Sequence, residues 1–392
     1  MSKVHIFGDY YIIESNQNTA VYLTEVQFNI LCYHADGFSS EKIFRTLIGN
    51  EIYTEEQLHL ASSNIDSLIN QLINIGVKIS RPIQYSGEYG KFYPMILNIE
   101  LTNQCNFKCS HCYKEADSHK YDFLDMQTIE DLIQMYSGKI KTIHLTGGEP
   151  LIYPNFNDLI IRLTDHFNVN ITTNGSLLYR IDDSTIRKIN NFQISIYGFD
   201  ENSYNLIANN KQGFNQVIQS LTRLNDLNIT YDISVTANQI FIRQFENYFT
   251  YLKSKNVKRV LVGLPFLEGR AKTYQKLWTL SDQDMETLQF IEETLGLGQS
   301  IDVLKDSFLI ESIGKTPFDM CGAGSIMYTI NEKGTLLYCT SLSRVIQPLG
   351  SIKDIEIRSQ AQPFNLRKII DQIKSKHSFQ SPMCPLLGDD NK

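Results

Sequence analysis

Hydrophobic and polar positions divide the chain into three regions with different periodicities. The first region opens with two short apolar runs, which predict strands at residues 4–15 and 19–25. Apolar positions then recur three and four residues apart in VQFNILCY, in SSEKIFRTLI and from about Thr54 to Ile75, which predicts three helices. Residues 1–82 are therefore predicted to form a small α+β domain of winged-helix-like pattern. The third helix is expected to bury the apolar side chains Leu58, Leu60, Ile65, Leu68, Ile69, Leu72 and Ile73.

Glycine and proline interrupt the helical pattern after the third predicted helix. The segment ISRPIQYSGEYGKFYP contains two prolines and two glycines, a composition typical of turns and loops. Residues 83–94 are therefore predicted to be a linker between the first and second regions.

Residues 95–300 alternate short apolar runs with amphipathic segments. This βα repetition predicts a parallel sheet covered by helices, and we expect an α/β fold with a partial (β/α)6 barrel. Active sites of such folds gather at the C-terminal ends of the strands. The six predicted strands are MILNIELT, TIHLTGG, VNITTNG, FQISIYG, YDISVTA and RVLVGLP.

Residues 301–392 lack this repetition and are predicted to form a separate, smaller domain. In the segment YTINEKGTLLYC, Glu332, Lys333 and Gly334 provide a short turn between two apolar runs. The pattern predicts a two-stranded ribbon that ends at Cys339.

Composition and charge narrow the class of protein. A chain of 392 residues, 42% apolar and 20% charged, is typical of a globular protein with two or three structural units. Its net charge of -7 gives no general attraction to nucleic acid or to anionic membranes, so neither is expected as a partner. The N-terminal sequence lacks a secretory pattern and no long apolar run occurs, so a cytoplasmic location is expected.

Three of the seven cysteines lie close together at the end of the first strand of the second region. Cys105, Cys109 and Cys112 are separated by three and two residues, so one loop can present three thiols to a metal centre. Structural zinc sites usually need four ligands, often as two CxxC pairs, and no second pair lies nearby. A [4Fe-4S] cluster can be held by three thiolates, which leaves one iron open. Zinc remains the alternative at this point.

The CxxxCxxC loop, together with Thr146-Gly147-Gly148-Glu149-Pro150 after the second strand, resembles the radical S-adenosylmethionine (SAM) superfamily. The resemblance implies that Cys105, Cys109 and Cys112 hold a catalytic [4Fe-4S] cluster whose open iron binds SAM. It also implies that the reduced cluster cleaves SAM to a 5′-deoxyadenosyl radical, which removes hydrogen from the substrate. The protein's part is to position these cofactors.

The same resemblance assigns SAM-binding roles to residues that follow the strands. A glycine pair permits close approach of the backbone to a ligand, and Glu149 can accept a hydrogen bond from the methionyl amine. Many peptide-modifying relatives carry an arginine shortly before a KGxF-like segment, but the corresponding position before KQGF in this chain is Ala208. The implied SAM-binding residues are His111, Gly147, Gly148, Glu149, Thr173, Asn174 and Ser195.

The remaining cysteines suggest a second metal centre. Cys321, followed by a ribbon ending at Cys339 and by Cys384, resembles the auxiliary-cluster domains called twitch and SPASM, in the shorter, twitch-like form. The resemblance implies one auxiliary Fe-S cluster, of [4Fe-4S] type, with an open iron. The alternative is that these three are buried core thiols, which is the interpretation adopted for Cys32.

The order of elements in residues 1–82 resembles a RiPP recognition element, a domain that binds the leader of a ribosomally made precursor peptide as an added strand. The combination implies a sactisynthase-like enzyme that forms a thioether or another side-chain cross-link. An auxiliary iron could bind the substrate thiolate and accept the surplus electron. A reducing partner of flavodoxin or ferredoxin type is expected.

Other functions stay open from the sequence alone. A peptide epimerase is disfavoured because no spare cysteine is left to return a hydrogen atom, whereas a peptide oxidase, a decarboxylase and a small-molecule enzyme remain. A different class of protein, a metal-dependent peptide- or nucleic-acid-binding protein without catalysis, is the further alternative. The basic residues of the first region are few, which disfavours nucleic acid.

Overall fold

The computed structural model describes residues 1–15, 20–49, 52–295, 302–305, 310–312, 323–340 and 346–360. The N-terminal elements are β1 (Ser2–Gly8), β2 (Tyr10–Glu14), β3 (Ala20–Thr24), α1 (Glu25–Ala35), α2 (Ser40–Ile48), α3 (Glu55–Asn74) and β4 (Ile83–Tyr89). The central elements are β5 (Ile96–Glu100), α4 (Met126–Tyr136), β6 (Thr142–Thr146), α5 (Phe156–Thr164), β7 (Asn168–Thr173), α6 (Asp183–Ile186), β8 (Asn191–Ser195), α7 (Glu201–Ala208), α8 (Gly213–Asp226), β9 (Tyr231–Thr236), α9 (Gln239–Arg243), α10 (Phe245–Ser254), β10 (Arg259–Gly263), α11 (Gln275–Trp278) and α12 (Asp282–Leu295). The C-terminal elements are β11 (Asp302–Lys305), β12 (Ile310–Ser312), β13 (Met327–Ile330), β14 (Thr335–Leu337), β15 (Gly350–Ser351) and α13 (Asp354–Ser359).

The N-terminal helices form where the sequence predicts them. α3 starts with a capping box in which Thr54 and Gln57 satisfy each other's backbone amides. Its buried stripe consists of Ile65, Ile69 and Leu72, spaced four and three residues apart. The prediction of burial is wrong for Leu60 and Ile73, which are 62% and 41% exposed. Both lie off the single stripe that packs against the rest of the N-terminal region.

The segment predicted as a linker begins with a strand. β4 pairs in parallel with β1 along its whole length, from Ser2 opposite Ile83 to Gly8 opposite Tyr89. Gly87 permits this pairing, because a Cβ atom there would lie 2.0 Å from the carbonyl oxygen of Ile6. Glycine and proline content alone does not reveal such a strand, so the N-terminal sheet extends further along the chain than the composition indicates.

The main sheet contains all six predicted strands of the central region. Its order is β11-β10-β9-β8-β7-β6-β5-β13-β14-β15, and β5 to β11 are mutually parallel. The predicted ribbon is present as β13 and β14, which pair in antiparallel fashion. The C-terminal strands do not form a separate sheet in the described residues, because β11 and β13 extend the main sheet and β12 pairs with β3.

The two faces of the main sheet differ in polarity. In β7 the burial alternates, with Val169 and Ile171 fully buried under helices and Asn170 on the opposite face. The sheet curves so that side chains of β10 and β13, at distant positions in the strand order, line one cavity on this opposite face. The cavity-facing side of the sheet is therefore the polar side. None of the described helices combines the length and the apolar composition needed to cross a membrane.

Candidate active site

A cavity of about 280 Å³, which we call the upper cavity, lies at the C-terminal ends of the central strands. The structure brings together around it every residue of the central region that the sequence nominated. These are Cys105, Cys109, His111, Cys112, Gly147, Gly148, Glu149, Thr173, Asn174 and Ser195.

The loop that carries the three cysteines, residues 102–116, is held first by the glycine loop after β6. The amide of Gly148 donates to the carbonyl of Thr102 at 2.6 Å, and the amide of Glu149 donates to the carbonyl of Gln104 at 2.8 Å. A Cβ atom on Gly148 would lie 2.0 Å from the oxygen of Gln104, closer than any real contact. The glycine pair is therefore required for the approach of the two loops to each other, a role that the sequence analysis did not assign.

The segment from α7 to α8 holds the cysteine loop from a second side. The amide of Ser110 donates to the carbonyl of Ile207 at 2.9 Å, and that of Lys108 donates to the carbonyl of Ala208 at 3.3 Å. Gly213 provides room for the ring of Phe107, which a Cβ atom would meet at 2.7 Å. Ala208, where an arginine was expected, is buried and supports the loop through its backbone.

Arg270 holds the cysteine loop from a third side. Its guanidinium donates to the carbonyls of Cys109, at 2.8 Å, and Ala116, at 2.7 Å. Its backbone amide donates to the carbonyl of Cys112 at 3.1 Å. Among the described residues that line the upper cavity, Arg270 is the only lysine or arginine. Sequence reasoning missed it, although its position after the C-terminal end of the sixth central strand was a usable signal.

Burial favours the protonated thiol at Cys105 and Cys109. Desolvation, assisted by the nearby Glu149 carboxylate, raises the pKa of Cys105 to about 12, and desolvation raises the pKa of Cys109 well above its usual value. The Arg270 guanidinium opposes both shifts. Because cysteine binds metal as the thiolate, iron bound at this loop would displace the thiol protons.

Glu149 is buried and lines the upper cavity. Its carboxylate accepts hydrogen bonds from the Thr173 hydroxyl at 2.6 Å, the Asn174 backbone amide at 2.9 Å and the Leu151 backbone amide at 3.1 Å. Desolvation nevertheless raises the pKa of Glu149 to about 7. A cation bound in the cavity would favour the ionised form, so the carboxylate is suited to recognise an ammonium group.

His111 presents an unsatisfied polar atom beside the upper cavity. Its ring lies between Tyr197 and Trp278, with centroid distances of 4.8 and 4.9 Å. Desolvation lowers the pKa of His111 to about 4, so the imidazole is neutral at pH 7. Its buried Nδ1 atom has no hydrogen-bond partner in the described residues. Such groups are rare in native structures and mark a place where a ligand can bind.

The residues around the upper cavity fit a three-thiolate cluster with SAM. Three thiols, one carboxylate, one guanidinium, the His111 imidazole and the Tyr197 ring line one space. In the described part of the chain, no three His, Cys, Asp or Glu side chains surround a single metal-ion position. A cubane cluster binds each thiolate through a different iron, so it requires thiols distributed around a cavity.

A buried ion-pair network connects the cysteine loop to the ribbon of β13 and β14. The Lys114 ammonium bonds to Glu100 at 2.5 Å and to Glu332 at 2.7 Å. The same Glu100 carboxylate accepts hydrogen bonds from Tyr113, which follows Cys112, and from Thr340, which follows Cys339.

The predicted auxiliary site is described only in part. Cys339 is half-buried, and Cys321 and Cys384 lie outside the described residues. Cys32 is buried in the N-terminal core, as predicted, and desolvation raises its pKa.

Comparisons with known proteins agree with this geometry. Residues 99–252 match the family described as the Radical SAM superfamily. The matched residues include the cysteine loop, the glycine loop and strands β6 to β9 of the main sheet.

Similar proteins extend the likeness beyond that domain. The chain is 24% identical over 302 residues to the sporulation killing factor maturation protein SkfB of Bacillus subtilis, covering 76% of this chain and 72% of that protein. It is 25% identical over 288 residues to the antilisterial bacteriocin subtilosin biosynthesis protein AlbA of the same organism, covering 72% and 63%. The fold is shared with Streptococcus suis SuiB bound to its precursor peptide SuiA, with 15% identity, a TM-score of 0.62, and 99% and 94% coverage.

Proposed function

We propose that this chain is a radical SAM enzyme that modifies a ribosomally made precursor peptide by forming a thioether cross-link. The observation that carries the proposal is the upper cavity, where three thiols and Glu149 meet within a radical SAM domain. Similarity to a maturation protein and to a bacteriocin biosynthesis protein supports a peptide substrate. The SuiB structure with its precursor peptide supports it through the shared fold.

The proposal assigns one task to each region of the chain. Residues 95–300, as a partial (β/α)6 barrel, perform the radical chemistry, and residues 1–82 bind the leader of the precursor peptide. Residues 301–392 hold an auxiliary cluster through Cys321, Cys339 and Cys384. The hydrogen bonds of Tyr113 and Thr340 to Glu100 bring the neighbours of Cys112 and Cys339 to one carboxylate, so the ribbon before Cys339 adjoins the cysteine loop.

The residues of the upper cavity position the cofactors. Cys105, Cys109 and Cys112 bind the cluster, and Glu149 accepts a hydrogen bond from the SAM ammonium group. Arg270 is the cation that faces the SAM carboxylate, in place of the arginine absent at Ala208. When bound, the cluster and SAM supply reductive C–S cleavage and hydrogen abstraction from the substrate.

The neighbours of these groups orient the rest of SAM. Thr173 and Asn174 fix the Glu149 carboxylate through their hydrogen bonds. Ser195 lines the cavity beside them, and His111 offers its unsatisfied ring nitrogen to the adenine. The Tyr197 ring beside His111 also lines this end of the cavity.

The test uses a cysteine-containing precursor peptide, to be sought among the short reading frames beside the gene of this protein. The chain, reconstituted with iron and sulfide under anaerobic conditions, is incubated with SAM, the peptide and dithionite or a flavodoxin-type donor. The expected product lacks two hydrogen atoms, and fragmentation places the new bond at a peptide cysteine.

Replacing that peptide cysteine by alanine is the matched control and should abolish the product. A product of unchanged mass would indicate epimerisation, and loss of carbon dioxide would indicate decarboxylation. Either result, or a cross-link that survives the cysteine replacement, would contradict thioether formation.

A further inference from the structure

A second cavity, of about 770 Å³, lies beneath the upper cavity on the same face of the main sheet. We call it the lower cavity. It is lined by the first halves of the central strands, and it shares Thr172 and Gln193 with the upper cavity. The two cavities are therefore adjoining parts of one space that runs along the inner face of the sheet.

The side chains that line the lower cavity are mostly polar, whereas apolar side chains fill the interior of a closed barrel. In (β/α)8 barrels, bulky branched side chains pack the interior. Here Asn98, Asn170 and Gln193 occupy inward positions on β5, β7 and β8. Within the described residues, the Asn98 and Gln193 side chains make no hydrogen bond. Enclosed amides normally find partners, so these are available to a bound molecule.

The N-terminal region forms the floor of the lower cavity. The Lys141 ammonium bonds to Glu14 of β2 at 2.5 Å, and Lys3 of β1 donates to the Asn168 side chain. The region proposed to bind the leader peptide is thus joined directly to the rim of the central sheet.

The charges around the lower cavity are unbalanced. Its cations are Lys3, Lys78, Lys141 and Arg259, and its carboxylates are Glu14 and Asp232. Two ion pairs, Lys141 with Glu14 and Arg259 with Asp232, use both carboxylates. Among the described residues, no carboxylate lies within ion-pair distance of Lys3 or Lys78, and Glu14, which also attracts Lys3, is paired with Lys141. An anionic ligand would therefore be stabilised here, although the whole chain carries a net charge of -7.

We propose that the lower cavity binds an acidic segment of the precursor peptide, which enters the central sheet from the side of the N-terminal region. Amide side chains match the donors and acceptors of a peptide backbone, and the unmatched ammonium groups match its carboxylates. The volume lies within the range of ligand-binding cavities. This inference rests on the proposed function, because it names the route by which the substrate reaches the upper cavity.

The test measures binding of two fluorescein-labelled probes, Gly-Glu repeated three times and Gly-Lys repeated three times, to the anaerobically reconstituted full chain. Fluorescence anisotropy at low salt should show binding of the acidic probe and not of the basic probe. Lys3→Glu should weaken binding of the acidic probe about tenfold. Lys276→Glu, which makes the same charge change at an exposed site on α11, should leave its affinity unchanged.

A second variant tests the amides without changing the charge. The replacement Asn98→Leu should also weaken binding of the acidic probe, by about fivefold, because it exchanges an amide without a partner for an apolar group of similar size. The iron content of each variant reports whether the chain has folded around its cysteine loop. Should Lys3→Glu lose iron, Lys3→Gln replaces it.

Equal binding of both probes, no binding, or an affinity unchanged by these variants would overturn the inference. If the wild-type chain modifies its precursor peptide while the lower-cavity variants bind the acidic probe normally, the inference fails and the proposed function stands. If probe binding depends on the lower cavity but no peptide is modified, the lower cavity binds acidic peptides and the proposed function fails.

Discussion

The upper and lower cavities share strands β6 to β9, yet the charged side chains Glu149 and Arg270 of the upper cavity are hydrogen-bonded whereas two amide side chains of the lower cavity are not. Around the upper cavity, Glu149 accepts three hydrogen bonds, and the cysteine loop is held by hydrogen bonds from three sides. Around the lower cavity, the Asn98 and Gln193 amides have no partner within the described residues. The upper cavity is therefore preorganised by the protein's own hydrogen bonds. In the lower cavity, a bound peptide would supply the missing partners of the amide side chains.

Gly148→Ala should have the largest effect, because it disturbs the preorganised upper cavity. The new Cβ atom would lie 2.0 Å from the Gln104 oxygen, so the cysteine loop must shift. We expect a loss of about 3 kcal/mol in the free energy of unfolding and a lower iron content. Denaturant unfolding and iron analysis provide the measurements.

Gly138→Ala is the matched control for that variant. A Cβ atom at Gly138 meets nothing within 4 Å, so only its positive φ of 77° resists the change. It should cost about 1 kcal/mol and leave the iron content intact. Equal effects of the two variants would show that the approach of the glycine loop does not position the cysteine loop.

Glu149→Gln should weaken SAM binding roughly 30-fold, which corresponds to a charged hydrogen bond. The amide keeps the shape of the carboxylate, but its NH2 group competes with the donors Thr173 and Asn174. Calorimetric titration of the reconstituted chain with SAM measures the change. Unchanged affinity would remove Glu149 from the SAM site.

Arg270→Lys should weaken SAM binding about tenfold while retaining most of the iron. Lysine keeps the charge but cannot donate to the carbonyls of Cys109 and Ala116 together. Lys272→Met, at a side chain that is 62% exposed two residues away, is the control and should bind SAM normally. A wild-type SAM affinity for Arg270→Lys would assign the arginine to loop support alone.

The sequence predicted the groups that lie close together along the chain. The CxxxCxxC loop and the GGEP loop are local motifs, and the βα repetition placed both at the C-terminal ends of parallel strands. The capped helices and the ribbon before Cys339 followed from local patterns in the same way.

The groups that sequence reasoning missed depend on the tertiary structure. Arg270 reaches the cysteine loop from a turn far along the chain, and no local motif includes it. β4 is hidden in a segment rich in glycine, because its pairing with β1 is specified by the partner strand. Asn168, Asn170 and Thr172 alternate with apolar residues in β7, a pattern typical of a sheet with one polar face, but the sequence analysis did not use it.

His5→Gln should have the smallest effect, and it tests the floor of the lower cavity through β1. The buried His5 ring is bonded to Ser86 and to the Tyr93 carbonyl, and desolvation lowers its pKa to about 4. As the pH falls, His5 therefore takes up a proton in the unfolded chain at a higher pH than in the folded chain. The stability that the neutral His5 ring contributes is complete above pH 6.5 and is lost as the pH falls toward 4. The wild type should lose about 1 kcal/mol between pH 7 and pH 5.5 through this group.

Denaturant unfolding at several pH values measures that slope, which should decrease in His5→Gln. His34→Gln, at an exposed position of α1, controls for the loss of a histidine. An unchanged slope in His5→Gln would show that this ring does not remain neutral in the folded protein.

The most direct test of the central claim, that the upper cavity is a radical SAM centre, counts iron and 5′-deoxyadenosine. The reconstituted wild type is compared with the triple variant Cys105→Ala, Cys109→Ala and Cys112→Ala in the presence of SAM and dithionite. We predict about eight irons per chain in the wild type, about four in the variant, and 5′-deoxyadenosine only from the wild type. A wild-type chain that carries its full complement of iron and releases no 5′-deoxyadenosine, or one that binds zinc instead, would contradict the claim.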